Sequence, residues 1–142
     1  MDDIVKSPSH YTNGAPVLEP MDLTMFLPHP IASAFEYCFR AGKKKDVPKE
    51  VDLAKAEFWL DQFLSRLINE PGVFHLPELN PCAVAMLHKF AKTEPCAKVI
   101  LETWKKVSTK EYGDTDIQWS LIAAAFLRQV RQQMGKEVDA EK

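Results

Sequence analysis

The sequence predicts an all-α protein, a compact bundle of five or six helices preceded by an irregular N-terminal arm. Apolar residues recur at helical spacing in several long segments, and proline or glycine marks the expected ends of these segments. No segment alternates apolar and polar residues as a half-buried strand would. With 142 residues, 46% of them hydrophobic, the chain is long enough to bury a single core.

The first half is expected to hold the arm and three helices. Residues 1–15 form the arm, because prolines, Asn13 and Gly14 break regular structure there. A short helix is expected over 18–27, and a second runs from about Pro30 to its glycine stop at Gly42. One apolar face of this second helix consists of Ala34, Tyr37, Cys38 and Ala41. The clearest helical pattern covers about 50–69. Its apolar stripe consists of Leu53, Ala56, Leu60, Phe63, Leu64 and Leu67.

The second half also has the pattern of helices. The turn-rich segment 71–81 divides a first region, 1–70, from a second, 71–142, and we expect the two to pack as one globular unit. Asn80 can cap a helix that opens with Pro81, and another helix opens with Pro95. A last helix is expected over about 116–134, before a charged tail that we expect to fray.

Charge and cysteine content restrict the classes of partner and location. A net charge of −2 argues against a nucleic-acid polymer as partner, because such binders usually carry a basic excess. The odd number of cysteines, without close paired spacing, indicates reduced thiols in a cytoplasmic protein. No apolar run approaches the roughly 20 residues of a membrane helix, and the first residues do not resemble a signal peptide.

Familiar catalytic motifs do not occur in the sequence. It contains no phosphate-binding GxxxxGKS/T loop, no GxGxxG, no HExxH, no CxxC and no GxSxG. This argues against the common nucleotide-hydrolysing folds.

A basic turn follows the second predicted helix, in the stretch "YCFRAGKKKDVPKE". Arg40, Lys43 and Lys44 can present several donors to phosphate oxygens, and arginine adds a planar fork. The alternative is a solvated helix end, where basic side chains complement the helix dipole by about 0.3–1 kcal/mol. The sequence pattern alone leaves both interpretations open.

Asp52, Lys55 and Trp59 share one stripe on the following helix, beside its apolar face. A tryptophan near a lysine can stack a nucleobase while the lysine meets a phosphate. The alternative is an aromatic residue at the edge of the core, with solvated charges around it.

Two weaker candidates lie nearer the N-terminus. His10 and Tyr11 offer hydrogen-bond donors and an aromatic face, although such an arm is more often a surface turn. Glu19 and Asp22, three residues apart on a predicted helix, can hold a magnesium ion through carboxylate oxygens. A solvated helical face is the more frequent explanation for such a pair.

Together these segments resemble a widespread bacteriophage family, catalogued as a domain of unknown function and described as phage nucleotide kinase-like. Its motifs occur here in the same order: "SPSHY", the acidic pair, "YCFRAGKK" and "DLAKAEFWL". The resemblance covers residues 7 to about 64. Ser7 stands where the family usually has histidine, and Ser33 and Glu36 replace its common asparagine and lysine.

The resemblance implies a phage-encoded nucleotide-binding protein of nucleotide metabolism, in the cytoplasm of an infected bacterial cell. A characterised member phosphorylates deoxynucleoside monophosphates, which implies an atypical nucleoside monophosphate kinase using ATP and Mg²⁺. By position, the catalytic candidates are Arg40, Lys43 and Lys44. The other candidates are ligand-binding His10, Tyr11, Asp52, Lys55 and Trp59, and metal-binding Glu19 and Asp22.

Two alternatives to a kinase remain. The protein can sequester a nucleotide or a nucleotide-derived defence signal without chemistry. It can also be an interaction module whose second half, residues 80–135, docks a partner. The segment 120–127, "SLIAAAFL", is apolar nearly all round, so it belongs either to the core or to an interface of a homo-oligomer.

Overall fold

All regular structure in the described part of the chain is helical. The computed structural model describes residues 18–70, 76–78, 80–108 and 114–135, and these contain six α-helices and no strand. The helices are α1 (Met21–Thr24), α2 (His29–Arg40), α3 (Lys49–Asn69), α4 (Pro81–Phe90), α5 (Pro95–Ser108) and α6 (Thr115–Gln133). The all-α prediction is therefore confirmed. The expected arm and charged tail lie outside the described residues.

Local chemistry fixes several helix ends. The side chain of Asn80 accepts a hydrogen bond from the backbone N–H of Cys82 at 2.7 Å, and Asp114 accepts from the N–H of Asp116 at 2.9 Å. Both side chains satisfy N–H groups that have no partner within the helix. Gly42 follows the last residues of α2 with φ +80°, a conformation that favours glycine and ends the helix.

The first helix is shorter than predicted. A helix was expected over 18–27, but α1 spans only Met21–Thr24. The next residues tighten, because Phe26 and Leu27 donate to carbonyls three residues back rather than four. Pro20 and Pro28 restrict the segment at both ends, since a proline disfavours helical geometry in the residue before it.

One hydrophobic core draws buried residues from all six helices. Helix α3 packs against α2 on one side and α6 on the other, while α5 packs against α4 and α6. The predicted stripe of α3 is buried except for Leu64, which is partly buried. In 120–127, four residues belong to the core: Ile122, Ala123, Phe126 and Leu127. Leu121 is exposed on the same helix. Half of this segment therefore belongs to the core, on one face of α6.

Two long-range contacts fasten α6 to the rest of the molecule. The indole N–H of Trp119 donates to the carbonyl of Pro77 at 2.6 Å, which holds part of the connector between the two halves. Arg131 donates from Nε to Glu57 at 2.9 Å and lies 3.4 Å from Asp61, so it links α6 to α3. Within the described residues, no helix has the length and apolar character needed to cross a membrane.

Candidate functional site between α2 and α3

The basic turn, residues 41–48, joins two helices that pack against each other. Because α2 ends at Arg40 and α3 begins at Lys49, the turn brings the end of one helix beside the start of the next. Two residues of the turn have positive φ, Gly42 at +80° and Asp46 at +70°. Aspartate tolerates this region better than most residues, because its short polar side chain can bond locally. The turn is therefore sharp, and it places Arg40 next to the first turns of α3.

Arg40 and Asp52 form an ion pair across this junction. The Nη2 atom of Arg40 lies 3.8 Å from Oδ1 of Asp52, and the two side chains are 42% and 2% exposed. Asp52 is thus buried beneath an arginine that reaches solvent. The predicted ligand-binding residue Asp52 contacts the arginine, and its carboxylate is not part of the open surface.

The ring of Tyr37 contacts two cations from different helices. The guanidinium carbon of Arg40 is 5.0 Å from the ring centroid, and Nζ of Lys55 is 5.5 Å from it. Attraction between a cation and the face of an aromatic ring holds such groups in place. Arg40 and Lys55, predicted separately from two helices, are therefore brought to one place by a residue that was predicted only as part of an apolar face.

Lys43 contacts two other side chains. Its ammonium nitrogen lies 3.3 Å from Oε2 of Glu94, in the loop before α5, and 3.6 Å from the centroid of the Phe39 ring. Lys44 is exposed. Of the three predicted catalytic residues, Arg40 and Lys43 each pair with an acidic side chain, and Lys43 also links the turn to the second half.

Trp59 lies one helical turn beyond Lys55 on α3 and is partly buried. Its ring meets His29 of α2 edge to face, with 5.2 Å between centroids, and Phe58 at 6.4 Å. His29 and Phe58 are both exposed. We call Arg40, Lys44, Lys55, Tyr37 and Trp59 the α2–α3 surface: a cationic end near the basic turn and an aromatic end further along α3.

Asp22 lies on α1, which packs against α2 and α4, whereas Glu19 precedes this helix, so the two are not on one helix as predicted. Oδ2 of Asp22 accepts a hydrogen bond from the backbone N–H of Glu19 at 2.9 Å, just before the helix begins. Across the described residues, no group of three or more His, Cys, Asp or Glu side chains is placed to hold a metal ion. A magnesium role for the pair stays a prediction.

Two surface depressions lie away from the α2–α3 surface. One, of about 550 Å³ between α1 and α4, includes Asp22, Met86 and Lys89. The other, of about 500 Å³ between α5 and α6, includes Lys98, Arg128 and Gln129. They are competing locations for a ligand.

Several residues of the site were not predicted as such. His29 and Tyr37 lie beside predicted residues only because α2 packs on α3, and Glu94 is 51 residues from Lys43 in the chain. Helical spacing marks Tyr37 as one of a set of residues on a face but says nothing of its two cations. The predicted residues His10 and Tyr11 lie outside the described residues.

Comparisons of the chain with protein-family models, with curated protein sequences and with solved structures return no match.

Proposed function

We propose that this protein binds a nucleotide on the α2–α3 surface, with the phosphate at Arg40, Lys44 and Lys55 and the base against Trp59. The observation that supports the proposal most directly is the convergence of Arg40 and Lys55 on the ring of Tyr37, at 5.0 and 5.5 Å. Two cations from separate helices that both contact one ring at the surface can both donate to the oxygens of a single phosphate.

Local charge supports an anionic ligand. Between residues 40 and 55 the chain has six basic and three acidic residues, although its net charge is −2. One of the three acids, Asp52, is buried, so its carboxylate does not meet an approaching anion at the surface. A cationic patch on an acidic protein favours a small anion over a long polyanion, which would also meet the acidic remainder.

The spacing of the two ends suits one small ligand. Lys55 and Trp59 are four residues apart on α3, which places them about 6 Å apart along the helix axis. A phosphate at Lys55 and a base on the exposed side of Trp59 therefore fit within one nucleotide. Exposed Phe58 extends the aromatic end, and stacking of bases on aromatic rings tolerates different bases.

The binding test compares a charge-removing pair with a matched control. Arg40→Ala/Lys44→Ala is expected to weaken binding of a deoxynucleoside monophosphate at least tenfold, because two phosphate contacts are lost, at roughly 1.5–3 kcal/mol for each charge-assisted bond. Isothermal titration calorimetry measures the change. Arg66→Ala/Lys92→Ala removes the same charge from exposed positions on α3 and in the turn after α4, outside both other depressions. Equal losses in the two double variants would show that general charge is responsible and would refute the site.

Binding is common to both uses that the family resemblance allows. In a kinase, Arg40, Lys43 and Lys44 neutralise charge on the phosphoryl group in transfer, with ATP and Mg²⁺ as co-substrate and cofactor. In a sequestering protein, the same contacts hold a nucleotide unchanged. Incubation with deoxynucleoside monophosphates, ATP and Mg²⁺, followed by mass spectrometry, separates the two. New diphosphates identify a kinase, and bound, unaltered nucleotide identifies a sequestering protein.

A further inference from the structure

Two buried polar atoms at the site have no hydrogen-bond partner among the described residues: Nε of Arg40 and Oδ2 of Asp52. Asp52 lies in the first turn of α3, with its side chain 2% exposed. Buried polar groups are nearly always hydrogen-bonded, because leaving one without a partner costs the free energy of its lost hydration. Two such atoms in neighbouring side chains therefore indicate that these side chains form further hydrogen bonds in another state of the site.

The unpartnered atoms belong to the two side chains that already form the ion pair. Their closest approach is 3.8 Å between Nη2 and Oδ1, which is longer than a hydrogen bond. A guanidinium can donate from Nε and Nη2 in parallel to the two oxygens of one carboxylate. A shift of about 1 Å closes the distance to the roughly 2.7–2.9 Å of such a bond, and the same movement can give each unpartnered atom its partner.

We propose that Asp52 is a positioning residue that orients the guanidinium of Arg40 toward a bound phosphate, through a two-bond contact that closes when the phosphate binds. The inference rests on the proposed nucleotide site. A guanidinium has five N–H donors, and the contact with Asp52 uses two of them. The other three, on Nη1 and the outer side of Nη2, then face the exposed side of the site.

One neighbour of Arg40 limits its movement on one side. The ring of Tyr37 lies 5.0 Å from the guanidinium carbon and limits its rotation on that side. An anion bound to the three remaining N–H groups also neutralises part of the positive charge of Arg40. Without the anion, that charge is hydrated by water. The buried carboxylate then sets the angle of the planar fork, whereas a lysine at position 40 has no such plane to orient.

The experiment compares binding of deoxyadenosine monophosphate and of deoxyadenosine to the full chain, followed by amide chemical shifts, which also report weak binding. For Asp52→Asn, we expect binding of the monophosphate to weaken about tenfold or more and binding of the nucleoside to be unchanged. Asn keeps the size of the side chain and removes its charge. Asp61→Asn is the matched control, since Asp61 is an exposed acid of α3 that pairs with Arg131 instead.

A second variant tests the orientation itself and does not depend on how well Asp52→Asn folds. Arg40→Lys keeps the charge and removes the fork, and we expect it to lose nearly as much phosphate affinity as Arg40→Ala. Adding Asp52→Asn to Arg40→Lys is expected to cost little more, because Asp52 acts through the arginine.

Three outcomes would overturn the inference. Monophosphate binding to Asp52→Asn that equals that of the unmodified chain refutes the positioning role and leaves the nucleotide site intact. Equal losses for monophosphate and nucleoside show a merely structural role. If the unmodified chain binds neither compound, the proposed function fails and the inference fails with it.

Discussion

At the scale of single residues, the same side chain behaves differently according to its surroundings, as the three cysteines show. Cys82 is exposed near the start of α4, whereas Cys38 and Cys96 are buried in the core. A hydrogen bond with the Cys38 thiol, together with burial, raises the pKa of Cys96 well above its usual range. Cys96 is therefore a protonated, unreactive thiol at neutral pH.

This pKa shift predicts a loss of stability at high pH. Because the pKa of Cys96 is higher in the folded than in the unfolded chain, its contribution is fully present below the unfolded value, about 8.5. It is lost as the pH rises from there toward the folded pKa. We expect the free energy of unfolding in urea to fall more steeply above about pH 8.5 for the unmodified chain than for Cys96→Ala. Cys82→Ala should follow the unmodified chain. Parallel curves for Cys96→Ala and the unmodified chain would contradict the shift.

At the scale of elements, helix ends that are fixed by residues nearby in the sequence were predictable, whereas the length of α1 was not. Asn80 caps α4 and Gly42 ends α2, as the sequence predicts, because both act on backbone groups within a few residues. Helix α1 was predicted too long, because Pro20 disfavours helical geometry in Glu19 and because Phe26 and Leu27 form tighter turns that the apolar pattern does not reveal.

The packing of α6 on α3 predicts a measurable cost for one side chain. Arg131 bonds Glu57 at 2.9 Å and lies near Asp61, and it is 35% exposed. We expect Arg131→Ala to lower the free energy of unfolding by about 0.5–1.5 kcal/mol, a value kept small by solvent screening. Urea denaturation measures it. Arg128→Ala, an exposed arginine one turn earlier on α6, is the control and should cost less. The same cost for both variants would rule out a specific link.

In the site, features that depend on residue type and spacing were predicted, and features that depend on how the helices pack were not. Arg40, Lys44, Lys55 and Trp59 were predicted, because their residue types and spacing along one helix or turn can be recognised in the sequence. The role of Tyr37 was not, because it depends on which face of α2 meets α3. Nor was the burial of Asp52, which helical spacing had placed beside the apolar face rather than within the core.

At the scale of the whole molecule, the second half supports the site built by the first. Its helices share one core with α2 and α3, and Glu94 at the start of α5 pairs with Lys43 of the basic turn. Residues 40–55 have a basic surplus in an acidic chain, and residues 89–106 have another. A surplus of basic residues attracts anions, so the test below has to distinguish the two regions.

The most direct test of the nucleotide site is a map of amide chemical shifts in the ¹⁵N-labelled full chain during titration with deoxyadenosine monophosphate. We expect the largest shifts in residues 37–44 and 52–59, at the end of α2, in the basic turn and in the first half of α3. Inorganic phosphate should shift the residues near Arg40 and Lys55 but not those around Trp59. Shifts concentrated at Lys98 and Arg128 in the depression between α5 and α6, or none at all, would contradict the account.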